Sequence, residues 1–425
     1  MRVKVYFKTI GCRVNQVETQ SLLEKFSALG HSAVLDPAAA DLVVVNSCTV
    51  TESADRDAVK FLKKIARINP TARIAVTGCL ATLDPEKILS AAPAAVIFAN
   101  KEKEKLPFDI CGAPFRPDEF AVSRSAGRTR AFVKVQDGCD LKCSYCLVPK
   151  ARSAISSKPV PAVLCEIGRL AASGFREIVL CGTRLGMYRC PQTGLDLRGL
   201  MERLFALSGQ FRLRFSSLEP MELSAELLRT LASGGNKFCP YFHLPLQSGS
   251  DNILRLMRRP YDTAGYLRKL NLVRSVLPRA GLYCDVIAGY PGETLKDFED
   301  TRSFLERCGF WGLHVFSYSS RPGTEAAALE PLGADIVAAR SAELHAADAV
   351  FRAAAANAAI GSELEVLMIK NKQSLSLGLA GNFLSVSVPG RLQPGRIYKI
   401  KIAGAEKGRC LAERPPADIS ESIWP

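Results

Sequence analysis

Three cysteines in one short loop, Cys139-Asp140-Leu141-Lys142-Cys143-Ser144-Tyr145-Cys146, constrain this chain more than any other stretch. Their spacing is C-x3-C-x2-C. They follow a strand-like run, Phe132–Gln136, and a turn at Asp137-Gly138. Iron–sulfur clusters are held by cysteine thiolates, and three this close suit three irons of a [4Fe–4S] cluster. No fourth cysteine sits nearby, so one iron is expected to stay open, as in a cluster that performs chemistry. A structural zinc site would close with four ligands.

A disulfide fits worse, because of compartment. The N-terminus Met1-Arg-Val-Lys-Val-Tyr-Phe-Lys has no apolar core of a signal peptide, and no apolar run is long enough to span a bilayer. The expected location is the cytoplasm, where thiols stay reduced. Fourteen cysteines in such a compartment point to metal or redox chemistry rather than covalent staples. The chain of 425 residues carries 56 Lys+Arg against 42 Asp+Glu, a formal net charge of +14. That balance suits a polyanionic partner, most simply nucleic acid. Basic soluble proteins without such a partner are common, so the charge alone decides little.

Residues 1–110 alternate strand and helix. Strands are expected at Arg2–Lys8, Leu42–Val45, Arg73–Thr77 and Ala95–Phe98. Helices are expected at Gln16–Leu29, with Leu22, Leu23, Phe26 and Leu29 on one face, and at Ser53–Ile68, capped by Ser53. This alternation predicts a parallel sheet covered by helices. Cys12, Cys48 and Cys79 each lie just past one of the first three strands. Ligands bind at the carboxyl ends of strands in such sheets, so three cysteines remote in sequence should converge. Gly11 and Gly78 would let the backbone come close. Buried cysteines with no common role are the plain alternative. The repeated position on three successive turns argues instead for a second three-cysteine cluster.

Residues 113–130 form an expected linker, broken by Pro114 and Pro117, in which Arg124, Arg128 and Arg130 could meet phosphate or simply be solvated. From residue 132 the alternation resumes. Six strands are expected, at Phe132–Gln136, Glu177–Cys181, Arg212–Ser216, Tyr241–Leu244, Leu282–Ile287 and Leu313–Ser317. With helices between them, including a broken one from Asp251 to Arg274, they predict an incomplete βα barrel. Chemistry in βα barrels sits at the C-terminal strand ends, where the cysteine loop falls. Glu219, His243, Gln247, Asp285 and His314 also fall at or near strand ends around this mouth. After an Ala-rich helix over 335–360, four short strands predict a small β-barrel, in which Arg391, Arg396, Lys399, Lys401, Lys407, Arg409 and Arg414 outnumber Glu406 and Glu413. Small basic β-barrels bind nucleic acid.

Together these motifs resemble the radical S-adenosylmethionine methylthiotransferases over almost the whole chain. The loop of Cys139, Cys143 and Cys146 is the superfamily signature. Cys12, Cys48 and Cys79 narrow it to methylthiotransferases, and the C-terminal strands resemble a TRAM domain. The resemblance implies two [4Fe–4S] clusters, S-adenosylmethionine as source of both methyl group and radical, an electron donor such as flavodoxin or ferredoxin, and no role for a membrane or DNA. Gly11-Cys12-Arg13-Val14-Asn15-Gln16 looks like the branch acting on N6-threonylcarbamoyladenosine at position 37 of tRNA. The isopentenyladenosine branch and the branch acting on an aspartate of a ribosomal protein are the alternatives. A non-catalytic iron–sulfur RNA-binding protein is the reading from another class. By position alone, Glu219, Gln247, Arg258 and Asp285 are expected to contact S-adenosylmethionine. The expected fold class is α/β: an N-terminal open parallel domain (1–112), the linker, a partial βα barrel of radical type (131–360) and a TRAM-like β-barrel (361–425).

Overall fold

The structure is a computed structural model that describes residues 2–114 and 129–413. The expected positions Met1, Pro117, Arg124, Arg128 and Arg414 lie outside the described residues.

The N-terminal sheet has five parallel strands in the order Ser32–Ala33, Lys4–Thr9, Leu42–Ser47, Arg73–Gly78 and Val96–Phe98. The two-residue edge strand was not anticipated, since so short a run carries no periodicity. Leu42–Ser47 is buried along its whole length, as a central parallel strand covered on both faces should be. The helix Glu52–Ile68 buries Ala58, Leu62 and Ile65, spaced as one helical face. Full burial of Leu62 and Ile65 contributes about 2 kcal/mol each. Its cap is Thr51 rather than Ser53: the Thr51 hydroxyl accepts from the Ala54 N–H at 3.3 Å.

The central part carries the six expected strands, at Ala131–Asp137, Glu177–Gly182, Arg212–Phe215, Tyr241–His243, Gly281–Ala288 and Gly312–Ser317. They form two parallel groups, the first three and the last three, joined by a bridge between Leu213 and Phe238 and by the Leu218 N–H, which donates to His243 O at 3.0 Å. Ser156–Ser157 adds a short antiparallel edge. Leu213, Phe215, Phe242, Leu282, Cys284, Val286 and Leu313 face the helices in one large apolar core. Strand alternation therefore turns Arg212, Arg214, Tyr241, His243, Tyr283, Asp285 and His314 toward the barrel interior.

The expected broken helix is two, Asp251–Leu256 and Thr263–Val276, separated by residues 257–262. After the helix Ala334–Ala358 the last strands close into a five-stranded barrel. Its fifth strand, Arg409–Ala412, is one more than expected. The turn Gly381-Asn382-Phe383 of this barrel seals the amino ends of the central strands. The Phe383 ring stacks on Tyr241 at 4.3 Å and meets Tyr283 edge-on at 5.5 Å. Arg212 and Arg214 donate to the Leu379 and Ala380 carbonyls.

Candidate active site at two cysteine trios

The loop bearing Cys139, Cys143 and Cys146 leaves the carboxyl end of the first central strand. Gly138 at φ +83° makes the turn, and a Cβ there would lie 2.4 Å from the Ala154 carbonyl oxygen. Ser144 anchors the loop. Its N–H donates to Met257 O at 3.1 Å, and its hydroxyl reaches Leu256 O and the Tyr290 hydroxyl, each at 2.8 Å. All three cysteines are partly exposed and free. Burial, with the nearby Cys143 and Cys139 thiols adding, pushes the Cys146 thiol up to about 12. Thiols that disfavour one another's ionisation are a poor resting arrangement alone and a good one around cations.

The second trio is assembled by sheet register. Thr9 lies beside Asn46, and Asn46 beside Thr77, so the three strands end level. Cys12, Cys48 and Cys79 follow within a few residues. Gly11 has φ +110°, and a Cβ there would stand 2.3 Å from Cys48 Cβ and 2.7 Å from its Sγ. Gly78 has φ +104°, and its Cβ would meet Ser47 O at 2.1 Å. Only glycine permits these approaches. Cys48 and Cys79 are buried and Cys12 is exposed. Burial pushes the Cys48 thiol to about 11, and the Cys79 and Cys12 thiols add to it. Asn15 braces the group through its amide, which donates to Ile10 O and Ser47 O at 2.9 and 3.0 Å.

The two trios are neighbours. The short helix Val148–Ala151 directly follows Cys146, and Ala151 O accepts from Asn100, whose amide also lies 3.6 Å from Cys79 Sγ. The next residue, Arg152, donates to Asn15 at 2.9 Å, to Glu18 at 2.7 Å and to Asp137 at 2.9 Å. Lys134 and Lys103 also pair with Glu18. Burial alone would raise both carboxyls. The cations outweigh it, holding Glu18 well below the usual range and Asp137 at about 2. A buried network thus locks the strand that leads into one trio onto the helix that follows Cys12.

Arg130 belongs to the scaffold: it lies 3.7 Å from Glu177. Of the residues expected around the cofactor, Glu219 lies at the cysteine loop through Arg259. That guanidinium reaches Glu219 and donates to Cys143 Sγ at 3.2 Å. Gln247 takes φ +73°, and its backbone pairs with Asp285 and Ile287 at 2.8 and 2.9 Å. Asp285 sits between two imidazoles, 2.7 Å from His243 and 3.3 Å from His314. Burial raises the Asp285 carboxyl, but the two imidazoles more than offset it and hold it well below the usual range. Arg258, at φ +54°, turns to the rim and pairs with exposed Glu325 at 2.7 Å. Its neighbour Arg259 takes the inward place. No residue type in this stretch marks which of the two arginines turns inward; the left-handed backbone at Arg258 does.

A parallel barrel whose cysteine loop follows its first strand defines a radical S-adenosylmethionine protein. Residues 133–305 match the Radical SAM superfamily, and residues 4–99 match Uncharacterized protein family UPF0004. The chain is 39% identical to "Threonylcarbamoyladenosine tRNA methylthiotransferase MtaB" of Chlamydia pneumoniae, covering 76% of this chain and 77% of the relative. It is 30% identical to "tRNA-2-methylthio-N(6)-dimethylallyladenosine synthase" of Helicobacter pylori (strain Shi470), covering 96% and 99%. The solved radical S-adenosylmethionine methyltransferase TsrM from Kitasatospora setae shares the fold, with a TM-score of 0.59, 15% identity and 77% of each chain covered. The chain belongs to the radical S-adenosylmethionine methylthiotransferases. Membership brings S-adenosylmethionine and a [4Fe–4S] cluster, and the free thiols of Cys139, Cys143 and Cys146, with a guanidinium on Cys143, suit that cluster.

Proposed function

We propose that this enzyme adds a methylthio group to C2 of N6-threonylcarbamoyladenosine at position 37 of tRNA. The observation that carries the reading is the adjacency of two cysteine trios joined by Asn100 and Arg152. Cys139, Cys143 and Cys146 would hold one cluster, and Cys12, Cys48 and Cys79 a second. When bound, the first cluster with S-adenosylmethionine supplies a deoxyadenosyl radical, and the second supplies thiophilic iron for sulfur chemistry.

The chain's own residues do the rest. Arg259 donates to Cys143 Sγ and would steady that sulfur when it holds the cluster. Glu219, Gln247 and Asp285 lie where the cofactor would be oriented, and Arg258 on the rim. Val17 of the helix Arg13–Ala28 packs on Val179 and Cys181 of the barrel wall, and Phe383 closes the floor, so water is kept from the interior. Lys399, Lys401 and Arg409 stand exposed on the C-terminal barrel, suited to tRNA phosphates. No helix among the described residues is long and apolar enough to cross a membrane. A cytoplasmic enzyme, fed electrons by a flavodoxin or ferredoxin and making no use of DNA, completes the reading.

The Chlamydia relative supports the threonylcarbamoyl branch. The Helicobacter relative, matched over nearly the full chain, favours dimethylallyladenosine as the second reading. Nucleoside analysis of tRNA from a deletion strain decides between them. Loss of the 2-methylthio form of threonylcarbamoyladenosine is expected. Loss of the 2-methylthio isopentenyl form instead would overturn the substrate assignment.

A further inference from the structure

The barrel interior is unevenly charged. Glu177 faces Arg212 at 2.8 Å, Arg214 at 2.8 Å and Arg130 at 3.7 Å, so one carboxylate meets three guanidiniums. The other inward carboxylate, Asp285, is engaged by His243 and His314. Arg214 is fully buried, yet its Nη1 has no hydrogen-bond partner among the described residues. The buried Tyr241 hydroxyl also lacks one. The Arg214 guanidinium lies 5.1 Å from the centroids of both the Tyr241 and the Phe383 ring, so the two unpaired groups are neighbours; a buried donor left without an acceptor costs about 1–3 kcal/mol.

A further guanidinium comes from the N-terminal domain. Arg13 opens the helix Arg13–Ala28, one turn before Val17 and on the same face. Val17 packs on Val179 and Cys181, which places Arg13 along the inner wall. Its charge is felt at Cys181, Arg130 and Tyr241. Arg13 is half-buried and makes no hydrogen bond or ion pair among the described residues.

We propose that Arg13, the Tyr241 hydroxyl and Arg214 Nη1 form a subsite for a carboxylate carried by the substrate. This rests on the substrate reading above and deepens it. The threonylcarbamoyl group ends in a carboxylate, which a guanidinium can grip with two parallel hydrogen bonds. An isopentenyl group offers hydrocarbon, against which an unpaired half-buried guanidinium is penalised. Arg13 is thus a specificity-determining residue placed beside Cys12, and selection comes largely from rejecting the uncharged analogue.

The test uses the full-length reconstituted enzyme and three anticodon stem-loops, carrying threonylcarbamoyladenosine, isopentenyladenosine or plain adenosine. The wild-type enzyme is expected to bind the first at least about tenfold tighter than the second. Arg13→Met should erase that preference, Arg13→Lys keep part of it, and Tyr241→Phe weaken it a few-fold. Iron content, measured alongside, shows whether the Cys12 site survives. If Arg13→Met retains iron and the full preference, the subsite is refuted while the substrate reading stands. If Arg13→Met loses iron, unchanged preference in both Arg13→Lys and Tyr241→Phe refutes it. Competition by an aspartate-bearing peptide, but not by the threonylcarbamoyl stem-loop, would move the carboxylate to a protein substrate and overturn the proposal. A wild-type enzyme that leaves threonylcarbamoyladenosine tRNA unmodified sinks the substrate reading itself.

Discussion

Cys139, Cys143 and Cys146 come from one loop of eight residues, whereas Cys12, Cys48 and Cys79 come from three strand ends and span most of a domain. The first trio is held by local turns and by Ser144. The second exists only while three parallel strands keep their register. The loop of the first trio is fixed to the rest of the barrel at few points, where Ser144 meets Leu256, Met257 and Tyr290 and Arg259 meets Cys143. An assembled site reports on the whole sheet, and here the sheet is clamped to the first trio by the Arg152 network. The two differ, then, in what would dismantle them.

Alanine at Cys139, Cys143 or Cys146 is expected to abolish cleavage of S-adenosylmethionine, read as 5′-deoxyadenosine. Alanine at Cys12, Cys48 or Cys79 should leave cleavage and abolish the methylthio product. Product formed by Cys48→Ala would break the division of labour. Next in size, Arg152→Met leaves Glu18 and Asp137 short of a partner in a buried network. A loss of about 3–5 kcal/mol is expected, seen as an earlier unfolding transition; an unchanged transition would mean the clamp is not structural. Gly11→Ala should cost about 2–4 kcal/mol through its positive φ and the clash with Cys48. Iron loss should fall on the second trio alone, by comparison with Gly138→Ala, which strains the first.

The Asp137 carboxyl has a folded value near 2 against an ordinary 3.8. Its folded pKa is depressed, so its contribution is present above the ordinary value and lost as pH falls from about 4 toward 2. About 2 kcal/mol is at stake. Acid unfolding of Asp137→Asn should show a correspondingly shallower slope over that window. Smallest of all, Arg258→Met breaks only an exposed pair with Glu325 and should shift stability by less than about 0.5 kcal/mol. Arg259→Met, one residue on, should slow cofactor cleavage by about ten- to a hundredfold, the loss of a charge-assisted bond. Equal effects at the two positions would erase the distinction drawn between them.

The alternation of strand and helix was legible, because parallel strands buried on both faces are continuous apolar runs. The six central strands were placed to within two residues at either end because their outward apolar residues recur at every second position, as at Leu213 and Phe215 or Leu282, Cys284 and Val286. Short features were not: the two-residue edge strand Ser32–Ala33, and the four-residue barrel strand Arg409–Ala412, whose inward residues are only Cys410 and Ala412. The Thr51 cap was hidden by Ser53, an equally good capping residue two positions on. Which of two adjacent arginines points inward depends on a left-handed backbone at Arg258, and that conformation is imposed by tertiary packing rather than by residue type. Cys181 and Cys190 take places in the packing. Cys181 fills the contact between the N-terminal helix and the barrel, and Cys190 Sγ accepts the Val160 N–H at 3.4 Å.

The turn Gly381-Asn382-Phe383 has a bearing on how deletions are interpreted. The C-terminal barrel, proposed above to meet tRNA phosphates, also packs Phe383 against Tyr241 and Tyr283 at the amino end of the central strands. Cutting it away uncorks the chamber at Tyr241 and Tyr283, admitting solvent to the far end of the radical's path. A truncated enzyme that forms 5′-deoxyadenosine without product would therefore be leaking, and its failure would say little about how tightly the missing part held the tRNA.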